Sequence, residues 1–275
     1  MAENVLVWDG AGLRPADAGT DLLVADSWLV DDGAVAGFGH HRARFRTACL
    51  SAGVPEGEVD AFLDAVPGHL PSRGRLFPRV EYGCGPDGPQ LRLRVRPAPP
   101  ITTEVVLAPH PGPDPRRAPR TKGPDLVMLG GVRARAAELG AGEAVLCTAD
   151  GTLLEGAYSA VVWWRSEMGG DVLCVPDPDL PVLDSVTRRR IVDAAGRRSV
   201  DVRHERVAPA DLDGLETWSL SALHGIRAVT GWRGCHVQGD IRGGIRGRAV
   251  EAGPAERAAT WRGYLAADLT PLVPA

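Results

Sequence analysis

The chain has 275 residues, of which 44% are apolar and 24% are charged, and its formal net charge at pH 7 is −4. This composition is typical of a folded globular protein with one large domain or two smaller ones. The acidic balance argues against nucleic acid as a main partner, and no apolar run approaches the length of a membrane span. The sequence begins without a signal-peptide pattern, so we expect a cytoplasmic protein with neither nucleic-acid nor membrane partners.

The five cysteines are scattered along the chain and form no closely spaced pair. Zinc sites usually take their ligands from such pairs, so we expect reduced thiols and no metal site. The sequence patterns of phosphate-binding loops, serine nucleophiles and zinc-binding helices do not occur either. Candidate chemistry must therefore be sought in single residues and their spacing.

The first hundred residues are predicted to combine strands and helices. The segment LVADSWLVDDGAV predicts a strand with an Asp-Gly turn, and QLRLRVRPA alternates like a strand. Apolar residues at helical spacing predict one helix in HHRARFRTACLSAG and a second in EGEVDAFLDAVPG. We expect these elements to form a smaller N-terminal domain over residues 1–106.

A proline-rich segment, LAPHPGPDPRRAPRT, follows at residues 107–121. Proline lacks a backbone N–H and fits poorly inside helices and central strands. The sequence therefore predicts neither a helix nor a central strand here. We interpret the segment as a connection between two domains, the second of which spans residues 122–275.

The C-terminal part also combines helices with strands. One helix is predicted in PDLVMLGGVRARAAELGAG, with Asp125 at its start, and another in VLDSVTRRRIVDAAG, with Ser185 as its cap. The segments EAVLCTADGTLLEGAYSAVVWW, VDVRHERV and ETWSLSAL predict strands. The mixture predicts an α/β (α+β) fold in two domains.

Lys122 is the only lysine of the chain, although lysine and arginine together number 31. Most lysines are solvated surface residues, and that interpretation is open for any single lysine. Here, however, arginine supplies every other basic side chain, and arginine replaces lysine as a charge but not as an amine nucleophile. A lysine amine forms Schiff bases with carbonyl compounds such as the cofactor pyridoxal phosphate. The composition therefore suggests a catalytic Lys122.

Four blocks of the sequence, in order, resemble the class IV, or fold-type IV, pyridoxal-phosphate enzymes. They are HRARFRTA, the run from TKGPDL through GAGEAVLCTADGTLLEG to AYSAVVWW, then DSVTRRRIVDAA, and finally ETWSLSALHGIRAVTGW. The resemblance covers roughly residues 20–232. The family includes branched-chain aminotransferases, D-amino-acid aminotransferases and 4-amino-4-deoxychorismate lyases. The resemblance implies a two-domain fold like that of the D-amino-acid aminotransferases, and a homodimer.

The resemblance also implies a site for pyridoxal 5′-phosphate. Lys122 matches the Schiff-base lysine, and Glu155 matches the glutamate at the pyridine nitrogen. A helix N-terminus is a physical site for the phosphate anion. The residues implied to hold the phosphate are Arg44, Val186, Thr187, Ser221, Ala222 and Leu223.

Each matched residue also has a plain structural interpretation. Glu155 could be a carboxylate in a turn, Arg44 a solvated helix arginine, and Thr187 a support for the helix cap. Two departures stand out: Ala160 stands where the family usually has Asn, and the Gly-rich stretch before the first helix, which lines the substrate side in the family, is missing. The order of the blocks, together with the single lysine, favours the cofactor site.

A substrate carboxylate would need a cation. Arg92 is a candidate because it lies on the alternating segment LRLRVR, where the family often places an arginine. A solvated strand face is the alternative. His224 and Arg227, which lie beside the 221–223 segment, are further candidates.

The resemblance implies an enzyme that acts on a primary amine, with Lys122 as its base. The form SALHGIR favours a 4-amino-4-deoxychorismate lyase, which eliminates pyruvate and gives 4-aminobenzoate. The first alternative is a class IV aminotransferase of the branched-chain or D-amino-acid type, or one with a specialised biosynthetic substrate. The second alternative is a non-catalytic relative, in which a change of Lys122 has no effect.

Overall fold

The structure, a computed structural model, describes residues 4–16, 21–85, 88–236 and 248–272. It divides into two compact units. Unit 1 consists of Met1–Ile101, Thr121–Leu126 and Ala266–Ala275, and unit 2 consists of Thr102–Arg120 and Val127–Leu265. The predicted boundaries at residues 106 and 121 differ from this division. The segment that carries Lys122 and the C-terminal segment both belong to the unit that contains the N-terminal residues.

Seventeen strands and five helices lie in the described ranges. The strands are β1 (Asn4–Trp8), β2 (Leu13–Pro15), β3 (Leu22–Ser27), β4 (Val30–Asp31), β5 (Ala34–Ala36), β6 (Arg75–Leu76), β7 (Arg79–Gly85), β8 (Gly88–Val95), β9 (Glu104–Pro113), β10 (Glu143–Cys147), β11 (Leu153–Gly156), β12 (Ala160–Glu167), β13 (Gly170–Pro176), β14 (Asp201–Glu205), β15 (Thr217–Ser221), β16 (Gly225–Trp232) and β17 (Leu269–Pro271). The helices are α1 (Phe38–Ser51), α2 (Glu56–Ala65), α3 (Leu126–Glu138), α4 (Val186–Gly196) and α5 (Ala258–Ala266). Among these helices, none combines the length and the apolarity needed to cross a membrane.

Unit 1 contains two antiparallel sheets and the helices α1 and α2. Five strands pair in the order β2-β1-β8-β7-β3, and four short strands pair in the order β17-β5-β4-β6. The predicted Asp-Gly turn connects β4 to β5, and both Asp32 and Gly33 adopt the positive φ angles that tight hairpin turns require. The core of the unit includes Phe45 of α1, Phe62 of α2 and Leu93 of β8.

Unit 2 is built on an eight-stranded sheet in the order β11-β10-β9-β16-β15-β12-β13-β14. β9 runs parallel to β10 and to β16, β13 runs parallel to β14, and the other neighbours are antiparallel. Successive side chains of β12 enter different cores. Trp163 belongs to the hydrophobic cluster that contains Leu107 of β9. Trp164 belongs to a second cluster, where it packs against Trp218 and against Trp261 of α5. This sheet positions β11 and β15, which carry residues of the predicted site.

The prediction that the proline-rich segment forms no central strand is wrong, because β9 lies between β10 and β16. The prolines at positions 109, 111 and 113 share one side of β9, since backbone groups alternate in direction along a strand. Asp114, of the opposite parity, donates its N–H to β10. On the proline side, the pairing with β16 ends where Trp232 lies opposite Leu107. The missing N–H groups therefore point beyond the end of the neighbouring strand, and no ladder bond is lost.

Candidate active site

Lys122 lies in a short segment that is held against β3 within unit 1. Its carbonyl oxygen accepts a hydrogen bond from the Ala25 N–H at 2.7 Å. The next residue, Gly123, adopts a φ of +138°, and a Cβ there would come within 2.8 Å of the backbone of Val24 and Ala25. Only glycine allows this approach without displacement of the segment. The Lys-Gly pair therefore fixes the backbone from which the only lysine side chain extends.

A buried ion network on β3 and α1 contains Arg44, the predicted phosphate ligand. The Asp26 side chain is fully buried, and Arg44 donates to it through Nε and Nη2, each at 2.8 Å. His41 Nδ1 lies 2.8 Å from the same carboxylate, and the Ser27 N–H donates to it at 2.7 Å. Arg44 is therefore an oriented, half-buried cation, and the solvated-arginine interpretation is wrong.

The pKa values in this network follow from burial and charge. Burial would raise the pKa of Asp26, but Arg44 and His41 outweigh it and hold that pKa below its usual range. Burial lowers the pKa of His41 against the attraction of Asp26, and Arg44 and Lys122 lower it further. The imidazole is therefore neutral at pH 7 and donates from Nδ1. The effect on His41 also places the Lys122 charge in the same electrostatic cluster as Arg44.

Glu155, the residue predicted at the pyridine nitrogen, lies on β11 of unit 2 with 3% of its surface exposed. Its Oε1 accepts hydrogen bonds from the Leu183 N–H at 2.7 Å and from Arg116 Nη1 at 2.5 Å. Burial raises the pKa of Glu155, whereas Arg116 and the Leu183 N–H oppose that rise. Within the described residues, Oε2 has no hydrogen-bond partner. One carboxylate oxygen is thus held in place while the other is available to a ligand.

The first turn of α4 contains the predicted phosphate donors Val186 and Thr187, both of which are buried. Ser185 caps this helix as predicted, since its Oγ accepts the Arg188 N–H at 3.3 Å. The N–H groups of a helix start attract anions. Arg188 supplies a further donor for an anion, because its buried Nη1 has no hydrogen-bond partner in the described part of the chain.

The predicted segment Ser221–Leu223 forms the turn between β15 and β16. Ser221 Oγ accepts the His224 N–H at 3.2 Å, and Gly225 completes the turn with a φ of +64°. His224 Nδ1 accepts the Thr102 N–H at 3.1 Å. Burial and neighbouring arginines lower the pKa of His224 to about 4, so its imidazole is neutral at pH 7.

Arg227, a predicted substrate ligand, is a buried residue of β16. Its Nη2 donates to Ser219 Oγ at 3.0 Å and lies 3.4 Å from Glu143 Oε2. Arg133 Nε lies 3.4 Å from the other oxygen of the same carboxylate. Arg227 therefore serves an internal ion pair, and its contact with substrate stays a prediction.

Arg92, the other predicted substrate cation, is fully buried in unit 1. Its Nε donates to Glu81 at 3.2 Å and its Nη1 to the Cys84 carbonyl at 2.9 Å. Arg79 and Arg94 pair with the same glutamate. The solvated strand face is wrong for Arg92, which belongs to a group of three arginines around one carboxylate. Its role toward substrate stays a prediction.

Sequence reasoning missed the partners that hold the predicted residues, namely Asp26, His41, Arg116 and Arg188. The sequence contained a signal for Asp26, because this residue is a lone carboxylate in the apolar segment LLVADSWLV. Arg116 and Arg188 lie in the runs PRRAPR and TRRR, where no local pattern distinguishes one arginine from the next. Their identification required the positions of distant chain segments.

Comparison with known proteins places these residues in a family. A family model for class IV amino-transferases matches residues 23–232. No curated protein matches the sequence.

Three solved structures illustrate the structural likeness. A hypothetical aminotransferase from Mycobacterium tuberculosis has a TM-score of 0.72 and 19% identity, with 97% of this chain and 98% of that chain covered. A fold IV-transaminase from Curtobacterium pusillum has a TM-score of 0.71 and 18% identity, with 96% and 97% covered. A branched-chain aminotransferase from Thermoproteus uzoniensis has a TM-score of 0.73 and 16% identity, with 98% and 100% covered. At these identities the likeness concerns the fold, and it confirms the predicted fold class.

The first test concerns the segment that carries Lys122. Gly123→Ala should destabilise the protein by about 1–3 kcal/mol, because alanine is strained at this φ and its Cβ would collide with β3. Gly131→Ala on α3 is the matched control, since its Cβ would meet open space, and it should be neutral or stabilising by up to about 1 kcal/mol. The free energy of unfolding in urea measures both. Equal effects of the two substitutions would contradict the close approach.

The second test concerns the buried carboxylate of Asp26. Asp26→Asn should lower the free energy of unfolding at pH 7 by about 3–5 kcal/mol, because it removes the buried negative charge that pairs with Arg44. A carboxylate with a lowered pKa in the folded state stabilises above its unfolded pKa of about 3.9, and that stabilisation is lost as the pH falls. The difference between wild type and variant should therefore shrink below about pH 4.

Unfolding measured across a pH series checks this expectation. Asp60→Asn is the control, because Asp60 forms an exposed pair with Arg46, and only a small change is expected. A gap between wild type and Asp26→Asn that stays constant down to acid pH would show that the Asp26 charge does not stabilise the fold.

Proposed function

Because the chain belongs to the class IV amino-transferase family, we propose that it is a pyridoxal 5′-phosphate-dependent enzyme that transfers the amino group of a primary amine, with Lys122 as its catalytic lysine. Family membership makes it a pyridoxal-phosphate enzyme, as the sequence predicted. Two observations support the proposal for Lys122, namely the absence of any other lysine and its position in the sequence. The only lysine among 275 residues stands where the family pattern has its Schiff-base lysine.

The residues of unit 2 fit this cofactor. The pyridine nitrogen would bind Glu155, whose Oε2 has no hydrogen-bond partner among the described residues. The phosphate would bind the first turn of α4, where buried N–H groups and the unpaired Nη1 of Arg188 supply donors. In unit 1, Arg44 is the predicted phosphate cation, and its orientation by Asp26 supports that role.

Pyridoxal phosphate, when bound, withdraws electrons from the carbon that carries the substrate's amine. Lys122 supplies the proton transfer that this requires: its neutral amine takes a proton from that carbon and delivers it within the site. Arginine could not replace it, because a guanidinium does not lose its proton in proteins. The hydrogen bond from the Ala25 N–H to the Lys122 carbonyl fixes the backbone from which this amine extends.

Support for amino transfer comes from the structural neighbours. The Mycobacterium tuberculosis protein has been solved with α-ketoglutarate and the aminated cofactor, and the Thermoproteus uzoniensis enzyme with norvaline. A keto acid and an amino acid are the two reactants of a transaminase. We therefore propose amino acids as donors and keto acids as acceptors for this chain.

A second candidate is the 4-amino-4-deoxychorismate lyase reaction, in which pyruvate is eliminated. The observation that favours it is the segment SALHGIR, at the turn between β15 and β16, which resembles the lyase form of this block. A homodimer and a cytoplasmic location stay predictions from the sequence.

The role of Lys122 is tested by covalent trapping. The purified protein should show a visible absorption band from bound cofactor, and borohydride should attach the cofactor to Lys122, as located by mass spectrometry. Lys122→Ala and Lys122→Arg should both lose the label and lower turnover by about 10²- to 10⁴-fold, because neither variant has a transferable amine proton. Label at the N-terminal amine alone, or full turnover by Lys122→Arg, would eliminate the proposal and favour a non-catalytic relative.

The two reactions are separated by the fate of the cofactor. In amino transfer, an amino acid alone should convert the cofactor to its aminated form in one turnover, and a keto acid should then reverse the change. In the lyase reaction, ordinary amino acids should cause no such conversion, whereas 4-amino-4-deoxychorismate should give pyruvate and 4-aminobenzoate. Absorbance spectra and chromatography of the products measure both outcomes. Pyruvate release without cofactor conversion would select the second candidate.

A further inference from the structure

The arginine that binds Glu155 is itself held on several sides. Besides its contact with Glu155, Arg116 donates to Asp114 through Nε at 3.0 Å and through Nη2 at 2.8 Å. The carbonyl oxygens of Pro119 and Pro181 lie 3.4 Å and 3.1 Å from its Nη1 and Nη2. Its side chain is 6% exposed. This guanidinium therefore has a fixed position, from which it presents one nitrogen to Glu155.

The side chains of Asp114, Arg116 and Glu155 form a row of alternating charge inside unit 2. Asp114 and Glu155 are negative and lie on either side of Arg116, and the side chains are 11%, 5% and 6% exposed in that order. The row has a net charge of −1, so it can accept one more positive charge. The other charged group that acts on Glu155 is Arg188 of α4, which is in turn affected by Asp184.

We propose that Arg116 is a positioning residue for the reaction: it keeps Glu155 anionic and holds its Oε1, so that Oε2 can receive the protonated ring nitrogen of the cofactor. This inference rests on the proposed function, because the ring nitrogen enters only with that cofactor. Asp114 balances Arg116, so that the row attracts the ring proton and does not repel it. The segment with five prolines, to which Arg116 belongs, then supports the site.

The physical reason is the cost of a buried negative charge. Burial is the largest effect on the Glu155 pKa and raises it, and Arg116 is the largest opposing effect. Without Arg116, the buried Glu155 would lose its largest stabilising charge, and its pKa would rise further. A protonated Glu155 would no longer favour a proton on the ring nitrogen, and electron withdrawal by the cofactor would weaken.

The first experiment uses the protein without cofactor. Infrared spectra across a pH series follow the carbonyl band of protonated carboxyl groups, and Glu155→Gln identifies the contribution of Glu155. In Arg116→Gln, the Glu155 band should persist to a pH about one to three units higher than in wild type. Arg116→Lys keeps a charge and should restore part of the shift. An unchanged Glu155 band in both variants would overturn the proposal.

The matched control is Arg120→Gln. Arg120 lies four residues further along the same segment and, among the residues that the structure describes, donates only to the carbonyls of Pro178, Asp179 and Leu180. Arg120→Gln therefore removes a cation and its hydrogen bonds to residues 178–180, but it removes no contact to Glu155. A band shift in Arg120→Gln as large as that in Arg116→Gln would show a general loss of structure and would also overturn the proposal.

The second experiment uses the protein with cofactor. In Arg116→Gln, the cofactor dissociation constant at neutral pH should rise once the Glu155 pKa exceeds the pH, by about tenfold for each unit of that excess. The pH at which the visible band changes should move as well, with partial rescue in Arg116→Lys. Borohydride labelling of Lys122 in wild type keeps the two ideas separate. Labelling with an unmoved band in Arg116→Gln would reject only the role of Arg116, whereas absent labelling would reject the proposed function.

Discussion

A carboxylate that leaves water needs a partner for its charge, and in this protein the partner is arginine. Asp26 binds Arg44, Glu155 binds Arg116, and Glu216 binds Arg257 in the same manner. Arginine suits this task because its planar guanidinium reaches a carboxylate with parallel donors and stays charged in a dry interior. The interior of both units depends on such pairs, which tie strands to helices and loops across long separations in sequence.

This use of arginine explains the isolation of Lys122. Thirty of the 31 lysine and arginine residues are arginine, whose guanidinium stays charged, so Lys122 provides the only side-chain amine of the sequence. The pairs also determine where charge lies around it. In unit 1, Asp26 pairs with Arg44, while His41 remains neutral because burial lowers its pKa.

Helices and turns were predictable where neighbouring residues alone determine the backbone conformation. Helices α1 to α4 follow from apolar spacing and caps, as Ser185 shows, and the Asp32–Gly33 turn follows from the ease with which these residues adopt positive φ. β9 was missed because the rule against proline assumes a neighbour on both sides, and the end of β16 is a property of the whole sheet. The segment around Lys122 was assigned to the wrong unit for a similar reason, since its hydrogen bond to Ala25 spans almost a hundred residues.

The candidate site was predictable to the extent that residues lie within ordered sequence blocks. Lys122, Glu155 and Thr187 could be named from those blocks. The partners of Arg92 and Arg227 could not, because alternation shows which face a side chain takes but not which carboxylate lies across from it. Arg116 shows the same limit, since its side chain bonds to residues from Asp114 to Pro181 that no short window contains.

The prolines of β9 have a consequence for how the protein meets its neighbours. Beyond Leu107, the flank of β9 that faces away from β10 offers carbonyl oxygens but no N–H donors at positions 109, 111 and 113. A strand from another chain that tried to extend the sheet at this point would leave its own carbonyls unbonded. The prolines therefore disfavour the pairing of a further strand along this part of β9.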